Sequence, residues 1–326
     1  SRADNFIHAV DDVSLQLKRG EVIALVSYPE YSPQDVSLGK KDVLIALNED
    51  ERLPFLDRAV DGLYAPGSIV KPIVAAAALQ EGVIDEQTEI LSTGALTIPN
   101  PYDPTKPTIF RDWKAHGNTD MREAIAVSSD VYFYVVGGGF EGQRGLGIAN
   151  LEKYFRLFGY GSDAGLRGFS SKTGSIPSPA WKEENFPGDP WRVGNTYHTA
   201  IGQYGLQITP LQAARAIAAI ANGGRLMRPT LIASSTLASQ SIPVQQSALQ
   251  VVREGMRKAV EGGTAAAVNL PFVQVAAKTG TAQVGSQNEN MNSWMIGFFP
   301  YEDPKYAYAV VLERAPPGAE RRAAEL

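Results

Sequence analysis

Cysteine is absent from the 326 residues of this chain. Its absence excludes disulfide bonds, thiolate ligands to a metal and cysteine nucleophiles. Histidine is scarce, and the three residues present, His8, His116 and His198, lie far apart without ligand-like spacing. We therefore expect no metal site.

Long apolar runs are also missing. The two most apolar segments, residues 72–80 and 131–139, are shorter than the roughly 20 residues that cross a bilayer as a helix. Hydrophobic residues make up 44% and charged residues 20% of the chain, which is typical of a globular protein with a sizeable core. We expect the chain as given to be soluble, and its composition leaves open whether an anchor was removed from a longer protein.

An excess of positive charge is missing as well. The net charge is -5, and the lysines and arginines form no cluster. Because nucleic-acid-binding domains typically carry a basic patch or stripe, we expect no nucleic-acid partner.

Strand-like patterns occur at both ends of the sequence. Residues 13–29 alternate, turn at Lys18-Arg19-Gly20 and continue as an apolar run, which predicts a β-hairpin. Three further strand-like segments lie near the C-terminus, at residues 272–284, 293–300 and 306–315.

Helical patterns fill the middle of the chain. The clearest has Thr209 as its N-cap and Pro210 in its first turn. Residues 95–119 and 170–198 are rich in Pro, Asn, Asp and Gly and predict long surface loops. Strands at both ends with helices between them predict an α+β fold, in which one sheet is closed by the two termini and a helical subdomain is inserted. The predicted helices cover residues 68–82, 121–136, 150–161, 209–224 and 244–263.

The segment PGSIVKP places Ser68 and Lys71 three residues apart at the expected start of a helix. That spacing puts both side chains on one face, and the N–H groups of a helix N-terminus favour developing negative charge on oxygen. A lysine among apolar neighbours would have a lowered pKa and could take the hydroxyl proton. The simpler interpretation is a helix cap followed by a surface lysine. Ser37 and Lys40 show the same spacing, but they lie among charged residues and predict a loop.

Ser128 and Asp130 lie two residues apart between apolar stretches. A local bend could turn both side chains into one cleft. Taken alone, the pair is better explained as a polar break in a helix.

The tripeptide Lys-Thr-Gly occurs twice. Lys278-Thr279-Gly280 lies within a strand-like run, where Gly280 would let a ligand approach the backbone. Lys172-Thr173-Gly174 lies among loop-forming residues, with no strand to fix a geometry. We expect the first to carry function.

The order S-x-x-K, then S-x-N or S-x-D, then K-T-G is far more specific than any one motif. With these motifs, the sequence resembles the transpeptidase domain of penicillin-binding proteins, and the monofunctional class B enzymes most closely. The resemblance runs from about residue 9 to about residue 313. Four longer segments share it: residues 20–31, 57–72, 199–224 and 292–313.

The resemblance implies a fold: a five-stranded antiparallel sheet flanked by helices, with an inserted all-helical subdomain. It implies a single transpeptidase domain over residues 1–326. The sheet part would comprise about residues 1–66 and 225–326, and the helical part about residues 82–222. We therefore expect this chain to be an excised catalytic region, without the membrane anchor and the pedestal domain of that family.

The resemblance also implies catalytic roles. Ser68 would attack the carbonyl carbon of the penultimate D-Ala in a D-Ala-D-Ala stem peptide, with Lys71 as the general base. Ser128 would relay the proton to the leaving amine, and Lys278 would hold that proton network and add positive potential. Asp130 would take the place of the usual Asn, a variant that resembles elongation-type class B enzymes.

Substrate binding would involve Thr279, Gly280 and Thr281. The two threonines would bind the carboxylate of the substrate. The backbone N–H groups of Ser68 and Thr281 would form the oxyanion hole. No cofactor is implied.

The implied partners are peptidoglycan stem peptides as donor and amine acceptor, β-lactams as inhibitors, a membrane-embedded glycan polymerase, and morphogenesis or division proteins. The full-length protein would lie at the extracytoplasmic face of the bacterial membrane. Two alternatives stay open: a serine β-lactamase or D,D-carboxypeptidase, and a non-catalytic penicillin-sensing or scaffold module.

Overall fold

The computed structural model describes residues 20–100, 103, 105–166, 168–232, 238–285 and 290–315. Within them, the helices are α1 Pro33–Ser37, α2 Lys41–Glu49, α3 Lys71–Gln80, α4 Met121–Val127, α5 Asp130–Gly138, α6 Gly147–Leu157, α7 Pro179–Asn185, α8 Val193–Ala200, α9 Pro210–Ala221 and α10 Gln246–Gly262. The strands are β1 Ile90–Ser92, β2 Ala95–Ile98, β3 Thr108–Arg111, β4 Gly117–Thr119, β5 Arg225–Met227, β6 Ser239–Ser241, β7 Ala276–Val284, β8 Asn290–Phe299 and β9 Tyr306–Ala315. Short 3₁₀ helices cover Gly67–Val70 and Ala266–Val268.

The main sheet is antiparallel, with the order β7-β8-β9. In its register, Lys278 lies opposite Ile296 and Gly280 opposite Trp294. A bulge at Met291/Ser293 interrupts the pairing of β8 with β9. The described residues thus contribute three strands to this sheet, and the expected count of five stays a prediction.

The predicted N-terminal hairpin is not found in the described residues. Its first strand falls on residues 13–19, which lie outside them. The expected second strand is wrong, because residues 22–27 form no strand and only Glu21 makes a bridge, to Thr230. An apolar run becomes a strand only where a neighbour offers backbone hydrogen bonds, and Ile23 and Val26 are instead exposed.

The core is organised around α3. Ile73, Val74 and the alanines of this helix are buried on every side, as expected for a helix that is apolar all round. Helix α10 packs against α4 and β7, and α9 packs against β8 and β9. None of the helices in the described ranges combines the length and the apolar character that a bilayer span requires.

The two predicted surface loops contain regular structure, so that expectation is wrong. In the first, β2 pairs with β3 and β4 pairs with β1. In the second, Ser178 caps α7, which begins with Pro179, and α8 follows. Short elements of this kind are held by local pairing, capping and packing rather than by an apolar period, so composition alone does not predict them.

The predicted helices are present, and packing explains the glycines that end one of them. A Cβ on Gly137 would lie 2.4 Å from Ala200 Cβ, and one on Gly138 would lie 2.3 Å from the ring of Tyr197. These glycines therefore let α5 approach α8 closely. Gly139, at φ 80°, then turns the chain out of the helix.

Candidate active site

Ser68 lies on the 3₁₀ turn that leads into α3, and Lys71 is the first residue of that helix. The turn depends on Gly67, whose φ is 56°. A Cβ there would lie 2.5 Å from the carbonyl oxygen of Thr281, and the Gly67 N–H donates to Gly202 O at 2.9 Å. Backbone atoms therefore pack directly against Gly67, next to Ser68, and a side chain at position 67 would prevent this contact.

Strand β7 presents its glycine to the same turn. A Cβ on Gly280 would lie 2.9 Å from Pro66 O and 3.0 Å from Ile69 N. The 278–280 copy of Lys-Thr-Gly is thus in contact with the turn that carries Ser68.

The third motif breaks a helix in two. Ser128 ends α4 in the left-handed conformation, with φ 59° and ψ 40°. Ser129 then caps α5, its hydroxyl accepting from Tyr132 N, and Asp130 is the first residue of α5. Serine and aspartate favour helix caps because their side chains bond to nearby backbone groups. The pair therefore lies at a break between two helices, and the chain also makes the local bend there that was considered as the second possibility.

The side chains of the three motifs meet at Ser128. Lys71 Nζ donates to Ser128 O at 2.7 Å, to Ser128 Oγ at 3.2 Å and to Asp130 Oδ1 at 2.6 Å. Lys278 Nζ donates to the same Oγ at 2.9 Å and to Thr279 O at 2.8 Å. The Ser128 hydroxyl therefore lies between two lysine amines and can pass a proton between them.

The two lysines differ electrostatically, although both are fully buried. Burial, reinforced by the charge of Lys71, holds the pKa of Lys278 well below its ordinary value. Lys71 instead forms an ion pair with the carboxylate of Asp130. The sequence pattern showed only the apolar neighbours of Lys71, and its carboxylate partner is a property of the fold.

The two threonines of β7 have different surroundings. Thr279 Oγ1 donates to Thr264 Oγ1 at 2.8 Å, whereas Thr281 is exposed. Thr264 follows α10, and its N–H donates to Ala126 O at 3.1 Å, two residues before Ser128. Thr264 was not predicted from the sequence, since no motif marks it.

The other copies of the short motifs contact different parts of the chain. Ser37 Oγ donates to Gln34 O at 3.3 Å, and Lys40 pairs with Asp35 on the surface. Lys172 is exposed, and its N–H donates to Val60 O at 3.0 Å. A Cβ on Gly174 would lie 2.0 Å from Gln207 O, so that glycine allows a close backbone contact.

A buried carboxylate beside the site was also missed. Asp112 follows β3, and its side chain is fully buried. Ser129 Oγ and Val131 N donate to its Oδ2 at 2.9 and 3.0 Å. It lies in a segment predicted as a loop, where a single aspartate gives no signal. In the residues that the structure covers, no group of His, Asp and Glu side chains is arranged to hold a metal ion.

Comparison with known proteins gives a consistent family assignment. The family described as "Penicillin binding protein transpeptidase domain" matches residues 13–325. Peptidoglycan D,D-transpeptidase MrdA of Acinetobacter baumannii is 32% identical over 92% of this chain and 47% of its own length. Penicillin-binding protein PBP2 from Helicobacter pylori superposes with a TM-score of 0.79, at 32% identity, over 92% of this chain and 54% of that one.

A second Helicobacter pylori structure, the complex of PBP2 with MreC, has a TM-score of 0.74 at 33% identity, and covers 84% of this chain and 50% of that one. The chain spans about half the length of the curated relatives it matches. The chain has their fold and belongs to the penicillin-binding protein transpeptidase family.

Proposed function

We propose that this domain is a serine D,D-transpeptidase that cross-links peptidoglycan stem peptides and is inhibited by β-lactams. One observation carries the proposal: the hydroxyl of Ser128 bonds to Lys71 and to Lys278, while the turn that holds Ser68 packs against the strand that holds Lys278. Relatives named peptidoglycan D,D-transpeptidase support it. So does a Mycobacterium tuberculosis relative, penicillin-binding protein A, which forms a penicillin G acyl-enzyme complex.

In the proposed acylation, Ser68 Oγ bonds to the carbonyl carbon of the penultimate D-Ala, and the C–N bond to the terminal D-Ala breaks. Lys71 is proposed as the general base that takes the serine proton, and Asp130, which pairs with Lys71, stabilises its ammonium form. Ser128 passes a proton to the leaving amine, with Lys278 on its other side. This path uses the hydrogen bonds at 3.2 and 2.9 Å that join the two lysines to Ser128.

The backbone N–H groups of Ser68 and Thr281 are proposed as the oxyanion hole. One such donor contributes on the order of 3 kcal/mol to transition-state stabilisation. Thr281 is exposed beside the turn and is proposed, with Thr279 and Gly280, to bind the substrate carboxylate. Thr264, bonded to Thr279, would orient that hydroxyl.

In the second half-reaction, an amine of a neighbouring stem attacks the ester carbonyl. The ester C–O bond breaks, the proton returns to Ser68 and the cross-link is made. A β-lactam would acylate Ser68 in the same way. Because its leaving group stays tethered in the site, the acyl-enzyme would persist.

The wider setting is proposed from the relatives. One relative forms a complex with MreC, and another is part of a synthase complex that coordinates polymerization and crosslinking. We propose that the full-length protein lies at the extracytoplasmic face of the membrane and works with a glycan polymerase and morphogenesis proteins. We also propose the division into a sheet part and a helical part at about residues 82–222, and a sheet completed to five strands.

Intact mass spectrometry after incubation with benzylpenicillin tests the function. We expect one covalent adduct on the wild type and none on Ser68→Ala. Lys172→Ala, in the exposed copy of Lys-Thr-Gly, is the control and should form the adduct. A wild type that stays unmodified would instead favour a non-catalytic module.

The neighbouring enzyme classes are separated by turnover. Rapid hydrolysis of a chromogenic cephalosporin would identify a β-lactamase. Release of D-Ala from a pentapeptide with no cross-linked product, even with an amine acceptor present, would identify a D,D-carboxypeptidase. We expect slow cephalosporin turnover and a cross-linked product.

A further inference from the structure

The loop of residues 112–116, called here the clamp loop, lies between β3 and β4. Both of its ends are fixed to the β1–β2 region: Asp112 N donates to Gly94 O at 2.9 Å, and His116 N donates to Ser92 O at 3.1 Å. The loop therefore has a defined position and can hold what it touches.

On one side, the clamp loop holds the start of α5. The fully buried carboxylate of Asp112 accepts from Ser129 Oγ at 2.9 Å and from Val131 N at 3.0 Å. It also accepts from Ser92 Oγ at 3.2 Å. Burial alone would raise the pKa of Asp112, but the N–H groups of Val131 and Asp130, together with Ser129, lower it, so the carboxylate is ionised.

On the other side, the clamp loop holds the end of α4. Trp113 Nε1 donates to Val127 O at 3.2 Å, although the residue is 57% exposed. Val127, before Ser128, is thus bonded to Trp113, and Ser129, after it, is bonded to Asp112. His116 completes the loop, with Nε2 buried 3.4 Å from Asp112 Oδ1.

Ser128 needs such support because its backbone is left-handed, at φ 59°. This conformation is unfavourable for a residue with a Cβ, and it persists only where surrounding contacts enforce it. The same backbone geometry places Ser128 Oγ between Lys71 and Lys278. A turn free to relax would take the hydroxyl away from one of the two amines.

We propose that Asp112 and Trp113 are positioning residues that hold the Ser128 turn in its left-handed conformation and thereby keep the proton path between the two lysines intact. They act through Ser128, and neither is a catalytic residue. The inference rests on the proposed function, since it presumes that Ser68 is acylated.

The test measures acylation by a fluorescent penicillin in stopped flow, separating the apparent binding constant from the acylation rate constant. We expect Asp112→Ala to lower the rate constant by about 100-fold, as an ångström-scale misplacement of a reacting group does, and to leave the binding constant within about threefold. Trp113→Phe keeps a ring but deletes the N–H, and should lower the rate constant several-fold. Lys114→Ala, which removes a cation–π contact with the Trp113 ring at 4.5 Å but no hydrogen bond to the turn, should match the wild type.

A merely structural role would give a different result. Loss of folded protein would reduce the labelled fraction at completion, but the molecules that react would do so at the wild-type rate constant. Wild-type rate constants in both Asp112→Ala and Trp113→Phe would overturn the inference. If Asp112→Ala does not fold, an unchanged rate constant in Trp113→Phe would overturn it. Because wild type and Lys114→Ala are measured alongside, failure of both to label would count against the proposed function instead.

Discussion

Replacing Gly280 with alanine tests whether the contact between β7 and the Ser68 turn is needed for reaction. The added Cβ would lie 2.9 Å from Pro66 O and 3.0 Å from Ile69 N, whereas ordinary contacts of this kind are 3.4–4 Å. Both neighbours are backbone atoms that cannot rotate away. The strand and the turn must therefore separate by about half an ångström, the difference between the observed and the ordinary contact distance.

Two effects follow from that separation. Overpacking of this kind costs about 1–3 kcal/mol of unfolding free energy. Since an ångström of misplacement costs about 100-fold in rate, we expect acylation to slow by about 10- to 100-fold. The two quantities are measured by urea denaturation and by the rate of labelling with a fluorescent penicillin.

Gly262→Ala is the matched control. Gly262 ends α10, does not have a positive φ, and has open space where a Cβ would lie. Its replacement should leave acylation unchanged and raise stability by about 0.5 kcal/mol, because alanine has less conformational freedom in the unfolded chain. Labelling of Gly280→Ala at the wild-type rate would refute the claim that this contact is required.

Three further predictions concern the motifs. Lys278→Met should abolish acylation and should also remove a pH dependence of stability. Because burial lowers the pKa of Lys278 in the native state, unfolding takes up a proton at any pH between that pKa and about 10.4. In that range the unfolding free energy of the wild type should rise with pH by up to about 1.4 kcal/mol per pH unit more than that of the variant. Denaturation at pH 7, 8, 9 and 10 measures this difference, and parallel curves would contradict it. Lys172→Ala should leave the acylation rate within twofold of wild type, whereas Lys278→Ala should lose it; equal losses would show that the copies were assigned wrongly. Ser128→Gly and Ser128→Ala should both lose acylation, but the glycine variant should be about 1 kcal/mol more stable in thermal unfolding, since glycine adopts φ 59° without strain. A more stable alanine variant would show that the backbone of Ser128 is not strained.

The helices were predictable where local signals agree. Thr209 caps α9 through a reciprocal bond with Gln212, and Pro210 opens it, as the sequence indicated. The short strands of residues 95–119 and the helices of residues 170–198 were missed. They are held by strand pairing and caps that have no apolar period, and α8 in addition packs closely against Gly137 and Gly138 of α5, a contact that no local pattern reveals.

The sequence by itself determined which side chains were available for chemistry: no thiol, one Ser-x-x-Lys at the start of an apolar helix, one Ser-x-Asp at a break in another, and one Lys-Thr-Gly within a strand. Only the tertiary structure decided that Lys71 and Lys278, 207 positions apart, bond to the same hydroxyl, that of Ser128. It also decided that Asp130 pairs with Lys71, and that Asp112 and Trp113 bond to the residues on either side of Ser128. The physical reason is that residue type and spacing fix local geometry over a few turns. The burial and charge that control a lysine's proton come from whichever elements pack against it.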